Sequence, residues 1–344
     1  MKLFYHYISY FSKIGLLLLL PASVFLSSQT PVFAQAGLAG AFLRVGLGAR
    51  AKGMGDAYTA LARGVESSYY NPAGLPLLEN REVIASYRAL SLDRQFTYIG
   101  FAMPVRPKVA SASGDKFING GFSLSWIRAG IDDIDGRNSD GQHFDNLSNS
   151  ENAFIFAFAL NPARKISVGL AVKVLWNRFP DIGSEGQTVS ASGVGLDLGA
   201  LYSPKEWVTA GLSIRDINSR YRWNTSKIFD EDGSESTDPF PKVVRYGLAV
   251  RPPNWQNVTL SFDYEQVYKS DLFSNKINDR FHFGGEASPL ENIVVRAGLD
   301  DGTVAAGGGY EFPLFGKMSQ INYSYTAAGN RPEEEHVFTW VFRF

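Results

Sequence analysis

Histidine is scarce in this 344-residue chain, four in all, so an imidazole base or ligand could come from few places. Cysteine is absent, which removes disulfides, thiolate metal sites and a cysteine nucleophile. Beyond the N-terminal leader the histidines are His143, His282 and His336. A hydrolytic centre needs serine or acid partners placed around such a histidine, and no phospholipase or protease motif surrounds any of them. His282 shares a parity with Arg280 and Glu286 and reads as a hydrogen-bonded interior histidine. Spaced acids at 132–140 ("DDIDGRNSD") and 230–235 ("DEDGSE") fall short of a calcium-loop pattern and read as solvated loops. "GLGARA" at 46–51 is a loose G-x-G-x-x-A without the strand, helix and later acid of a dinucleotide fold. The expectation is a protein without catalytic residues, cofactor or metal.

Charge is therefore sought elsewhere. The formal net charge of −1 gives no basic surface for nucleic acid. What stands out is a set of charges that share a parity within alternating segments: Lys173, Arg215, Arg245, Arg251, Arg280, Arg296 and Arg343 against Asp197, Asp263, Glu265, Glu286 and Glu311. Mixed signs suit salt bridges that lock an interior, rather than an ion-selective ring.

The elements that position these charges are strands. Ile166, Val168, Leu170, Val172, Val174 and Trp176 oppose Lys165, Ser167, Gly169, Lys173 and Asn177. Val258, Leu260, Phe262 and Tyr264 oppose Thr259, Ser261, Asp263 and Glu265. Such period-2 alternation gives each strand one apolar and one polar face. Fourteen strands are predicted, at 81–90, 94–104, 117–128, 150–160, 165–177, 188–202, 206–216, 241–251, 256–268, 277–287, 291–300, 303–312, 317–326 and 336–344. Most have the length that a tilted strand needs to cross a bilayer. Short connections such as "NPAR", "SPKE" and "SPLEN" alternate with long polar ones, notably 128–149 and 217–240. That asymmetry describes an outer-membrane β-barrel, whose closed sheet leaves no backbone group unpaired in hydrocarbon. Inward glycines (Gly193, Gly195, Gly199, Gly307, Gly309) leave interior room or mark bulges. Trp126, Trp176, Trp207, Trp255, Tyr268 and Tyr310 fall near strand ends, as interfacial girdles do.

The two termini carry further signals. Lys2 and Lys13 precede the apolar run "IGLLLLLPASVFL", and Val32 and Ala34 fit a cleavage site, so residues 1–34 read as a signal peptide. Residues 35–80 are rich in glycine and alanine and lack strand alternation. One helix is predicted through "DAYTALA" (56–62), with Asp56 as its N-cap, followed by a turn at Asn71-Pro72-Ala73-Gly74. At the other end, His336, Phe338, Trp340, Phe342 and Phe344 share one parity. Trp340, Phe342 and Phe344 resemble the terminal signal that bacterial barrel-assembly machinery recognises.

The stretch 42–75 resembles the start of the PorV/PorQ family of outer-membrane proteins and, more distantly, the FadL family of hydrophobic-compound channels. Gly48, Ala49, Arg50, Gly53, Met54, Gly55, Ala57, Asn71, Pro72, Ala73, Gly74 and Leu75 carry the likeness. The resemblance implies a barrel in the bacterial outer membrane, with residues 35–80 as a plug and 81–344 as the wall. It further implies a component linked to type IX secretion that binds the signal domain of an exported cargo or a translocon through its extracellular loops. The alternative it implies is a FadL-like passive channel for hydrophobic small molecules. In either case the partner common to both is outer-membrane lipid.

Overall fold

The computed structural model describes residues 38–90, 94–106, 108–109, 116–138, 140–181, 187–226, 233–269, 272–329 and 333–344. The leader 1–34 and the acids 230–232 lie outside the described residues.

The chain forms a closed antiparallel barrel of fourteen strands. They are β1 (Glu82–Ala89), β2 (Arg94–Val105), β3 (Asn119–Arg137), β4 (His143–Ala163), β5 (Ile166–Phe179), β6 (Val189–Lys205) and β7 (Val208–Arg215). Then follow β8 (Lys242–Val250), β9 (Val258–Tyr268), β10 (Lys276–Leu290), β11 (Ile293–Asp300), β12 (Thr303–Leu314), β13 (Lys317–Thr326) and β14 (Glu335–Arg343). Each pairs with its chain neighbours, and β14 returns to β1 in unbroken register from Glu82↔Arg343 to Ala89↔His336. All fourteen correspond to predicted segments.

Closure explains the alternation. Phe154, Phe156, Phe158, Leu170, Val174, Trp176, Phe338 and Trp340 face outward and are exposed, whereas Ala153, Ile155, Ala157, Leu175, Val337 and Val341 face inward and are buried. The outward side chains pack on one another across strands, with stacked pairs Phe262–Phe281 and Tyr246–Tyr264, and along a strand, as Trp340–Phe342. An exposed belt of this kind, on a sheet whose backbone is paired all round, is a lipid-facing surface. The barrel is an outer-membrane barrel. No helix among the described residues is long and apolar enough to cross a membrane, and the strands make the crossing.

Several expectations need correction. Residues 56–62 are not helical: Asp56 has φ 61°, and the helices are α1 (Ala49–Gly53) and α2 (Ser67–Tyr70), flanked by 3-10 turns Ala41–Arg44 and Pro72–Leu77. Asp56 is turned away from a capping role because its carboxylate is held by Lys52 and Tyr70 instead. The loop expected at 128–149 is mostly strand, since β3 and β4 pair on to Arg137 and His143. Polar composition there marks water on both faces of a ribbon, not an absence of strand. Tyr268 is buried rather than at a girdle, because a register shift at Val267/Tyr268 rotates it. Arg251 lies past the end of β8 and is exposed, not luminal.

A cation placed on the outer face tests the lipid assignment. Phe156→Arg, in the middle of β4, is expected to lower folding stability in bilayers by about 2–4 kcal/mol, and Tyr202→Arg, near the end of β6, by about 0–1 kcal/mol. Urea titration read by the heat-modifiable shift on gels measures both.

Candidate functional site

From Gly46 to Pro76 every residue is buried except Arg50 and Arg63. The segment is held against the inner wall by close approach of backbone to backbone. A side-chain carbon on Gly121, Gly169, Gly199, Gly247, Gly284 or Gly298 would overlap Leu75, Pro72–Ala73, Asn71, Ala60, Met54 or Gly55 respectively. These seats lie round the wall from β3 to β11. Gly307 of β12 meets Gly53 in the same way. Gly193 and Gly195 have another purpose, being covered by Arg220 and Ser219.

The residues of the quoted motif are placed as follows. Gly48 has φ 67° and faces the Glu66 carboxylate, so both conformation and space require glycine. Arg50 makes an ion pair with Glu286 at 2.8 Å, which Arg296 also reaches at 2.7 Å. Gly53, Met54 and Gly55 lie along β10–β12. Asn71 accepts the Ala73 N–H at 3.1 Å and donates to Thr59 O and Ala200 O at 3.0 and 3.2 Å, with Pro72 opening the 3-10 turn. Gly74 lies against the Ala62 carbonyl.

The predicted luminal charges meet one another. Glu265 is approached by Arg245, by Arg215 at 3.8 Å and by Arg280 at 3.7 Å. Asp263 accepts the N–H groups of Tyr58 and Thr59 at 3.0 and 2.8 Å. Lys173 lies 2.9 Å from Asp197 and 2.6 Å from Asp216. Glu311 pairs with Arg343 at 3.2 Å. His282 is buried, its Nδ1 3.1 Å from Gly55 O and 3.0 Å from Asp300 Oδ1. Trp340, Phe342 and Phe344 stack along the outside.

Sequence reasoning missed a second charge cluster: Lys52, with Asp56 at 2.9 Å, Asp300 at 3.3 Å and Glu335 at 3.6 Å, and Arg88 3.2 Å from Glu335. The i,i+4 spacing of Lys52 and Asp56 was its one visible trace. Thr339 was also missed. It accepts the Ala49 N–H at 2.8 Å and lies 2.7 Å from Ser86 Oγ, where β14, β1 and the inner segment meet.

The interior is divided. Charges concentrate on β7–β11, β14 and β1, whereas β3–β6, apart from the buried Lys173–Asp197 pair, present Ile127, Ala153, Ile155, Ala157, Ala171, Leu175 and Ala191, joined by Phe42 and Leu43. Tyr221 and Phe240 close over this apolar side with rings 4.8 Å apart.

Beside it the wall is irregular. β7 leaves the sheet at Asp216, φ 59°, and β6 pairs with it only from Leu198 downward. Residues 216–221 step inward over Gly193 and Gly195, and a short ribbon (Arg220–Asn224 with Glu235–Pro239) resumes pairing to β6 at Ala191 and Ser192. Across the step one backbone bond remains, Ile217 N–H to Leu196 O at 3.0 Å. Asp216, fixed by Lys173, by Ser219 at 2.7 Å and by its own N–H to Asp197 at 2.8 Å, anchors it. A separate cavity of about 290 Å³ opens where the inner segment joins β1, lined by Arg50, Arg63, Glu66, Glu79, Glu82 and Arg343. No cluster of three or more His, Asp and Glu suited to a metal occurs among the described residues.

No protein-family model matches the chain, and no curated protein sequence matches it. Among solved structures it is similar to a Pseudomonas aeruginosa FadL homologue, at 10% identity and TM-score 0.55 over 86% of this chain and 97% of that one. It is also similar to the Pseudomonas putida toluene transporter TodX, at 12% identity and TM-score 0.54 over 87% and 97%. At these identities the likeness establishes the fold alone, an outer-membrane β-barrel of the architecture those two proteins share. It does not single out the PorV/PorQ family, and nothing in it supports a secretion component.

Glu66, which lines the cavity and is not part of a wall strand, gives a pH test. Burial pushes its carboxyl up from 4.5 to about 7, against the pull of Arg50, while Tyr58 donates to Oε2 at 3.1 Å. The folded protein thus holds this proton more tightly than the unfolded chain does. Stability is expected to rise as pH falls from about 7 towards 4.5, and to be lost on the return. Glu66→Gln should flatten that part of the profile of urea midpoint against pH.

Proposed function

We propose that this protein is a passive, non-catalytic outer-membrane channel for hydrophobic small molecules, with residues 35–80 as its plug and 81–344 as its wall. The observation that carries the reading is the inward step of β7 at Asp216, set beside the apolar side of the lumen. In the bilayer an interrupted strand pairing is costly unless the freed groups find partners. Here it is retained and covered from inside by residues 216–221.

The chemistry follows from where apolar surface can go. A hydrophobic solute from the outer end is favoured against Phe42, Tyr221, Phe240 and the alanine-lined faces of β4 and β5, at about 25 cal/mol per Å² of apolar surface removed from water. Displacing residues 216–221 joins that side of the lumen to the hydrocarbon outside Val194 and Leu198. The solute then leaves sideways past Lys173, Asp197 and Asp216, the one ion group on its way, and does not cross the larger charge clusters of β8–β11. Separating Lys173 from its aspartates, as in breaking a buried ion pair, costs about 3–5 kcal/mol, which keeps the closed form dominant. The FadL homologue and the toluene transporter to which the chain is similar support transport of a small apolar molecule, and make a monoaromatic hydrocarbon the first probe. The outward Trp340, Phe342 and Phe344 on the closing strand support their reading by assembly machinery before closure.

The absence of cysteine makes the test clean. A carbon placed on Gly195 lies 3.2 Å from Ser219 Cβ, near the range that a disulfide spans. With Gly195→Cys combined with Ser219→Cys, oxidised cells are expected to take up radiolabelled toluene no faster than cells lacking the protein, and reductant should restore uptake. Uptake that is indifferent to the cross-link would refute the sideways route.

A further inference from the structure

β3 and β4 run past the rest of the wall. The last partner of β3 on β2 is Ile131, opposite Arg94, and the last partner of β4 on β5 is Ser150, opposite Arg178. Beyond them, 132–137 and 143–149 pair with each other and with no other strand among the described residues. At about 3.4 Å per residue this ribbon projects roughly 20 Å. Two strands standing alone in water are marginally stable, and each leaves a row of unpaired N–H and C=O groups along its outer edge.

The two edges are not equivalent. On β3 the register shifts between Ile131 and Ile134, where Asp133 has φ 55°, so that edge is bulged and twisted away. On β4 the extra residue is Phe144, near the tip, and 145–149 stay in extended strand down to Ser150, with Ser148 the single residue set opposite the β3 bulge. The open edge of 145–149 lies directly in line with β5 below it. Charge is equally one-sided. Asp132, Asp133, Asp135, Asp140 and Asp145 face a single arginine, Arg137, whose pair with Asp135 at 2.7 Å is half-exposed and screened. Phe144, 55% exposed, adds an apolar surface at the tip.

We propose that the outer edge of β4 at 145–149 docks a basic, extended polypeptide segment as an added strand. The main chain of the partner completes the open ladder, and its lysines or arginines meet the aspartates of the ribbon. This surface is separate from the channel, and the proposal stands or falls independently of transport.

Full-length protein in detergent micelles, mixed with the peptide Lys-Val-Lys-Val-Lys-Val-Lys, is followed by hydrogen exchange and mass spectrometry. Exchange at 145–149 is expected to slow by about tenfold at saturation, and the affinity to weaken by about tenfold between about 50 and 500 mM salt. Asp135→Asn with Asp145→Asn should reduce binding while exchange in the barrel strands stays unchanged. The same peptide carrying alternate backbone N-methyl groups should give no protection. Unchanged exchange at 145–149 overturns the proposal. So does equal protection by the N-methylated peptide, which would show charge attraction without strand addition. Equal protection by a peptide with glutamate in place of lysine, or protection confined to the ribbon at 220–239, also overturns it.

Discussion

Hydrocarbon offers no partner to a peptide N–H or C=O, and that deficit organises this molecule. The register between β1 and β14, continuous from Glu82↔Arg343 to Ala89↔His336, removes the edges that a sheet would otherwise present to lipid. Once the sheet is closed, outside and inside are fixed by parity alone. The aromatic and aliphatic side chains of alternate positions meet lipid, and every charge on the other parity must be satisfied within a space that the chain itself fills.

Filling that space takes two kinds of fit. At the closest approaches of the inner segment several strands carry glycine, so that main chain touches main chain at seats such as Gly169, Gly284 and Gly298. Between the seats, ions answer ions: Arg50 with Glu286, Lys52 with Asp300 and Glu335, and Asp263 with the amides of Tyr58 and Thr59. Removing Asp300 or Asp263 would leave its buried partners in a place without water. The side formed by β3–β6 has one such group, Lys173 with Asp197, and is otherwise lined largely with alanine, isoleucine and leucine, which is why the interior has an apolar side at all.

The strands were legible in the sequence because a lipid-facing wall imposes strict alternation, and parity alone placed Lys173, Asp197, Asp263, Glu265 and Glu286 inside. Parity says which face a residue occupies but not which distant residue it meets, so the pairing of Glu286 with Arg50 was not readable. Local propensity misled at 56–62, where an alanine-rich stretch suggested a helix. Its conformation is set instead by the Asp263 carboxylate gripping two of its amides and by Lys52 and Tyr70 holding Asp56. At 128–149 polar composition hid a two-stranded ribbon, since a strand wet on both faces has no apolar period to show. The step at Asp216 left no sequence signal, being fixed by Lys173 and Asp197, which lie 43 and 19 residues away along the chain.

Thr339 stands at the seam, touching Ser86 of the first strand and the Ala49 amide of the inner segment at once. The contact that shuts the cylinder is therefore shared with the contact that settles its contents. Withdrawing the lining would leave the seam hydroxyl one partner short, so the two contacts favour each other.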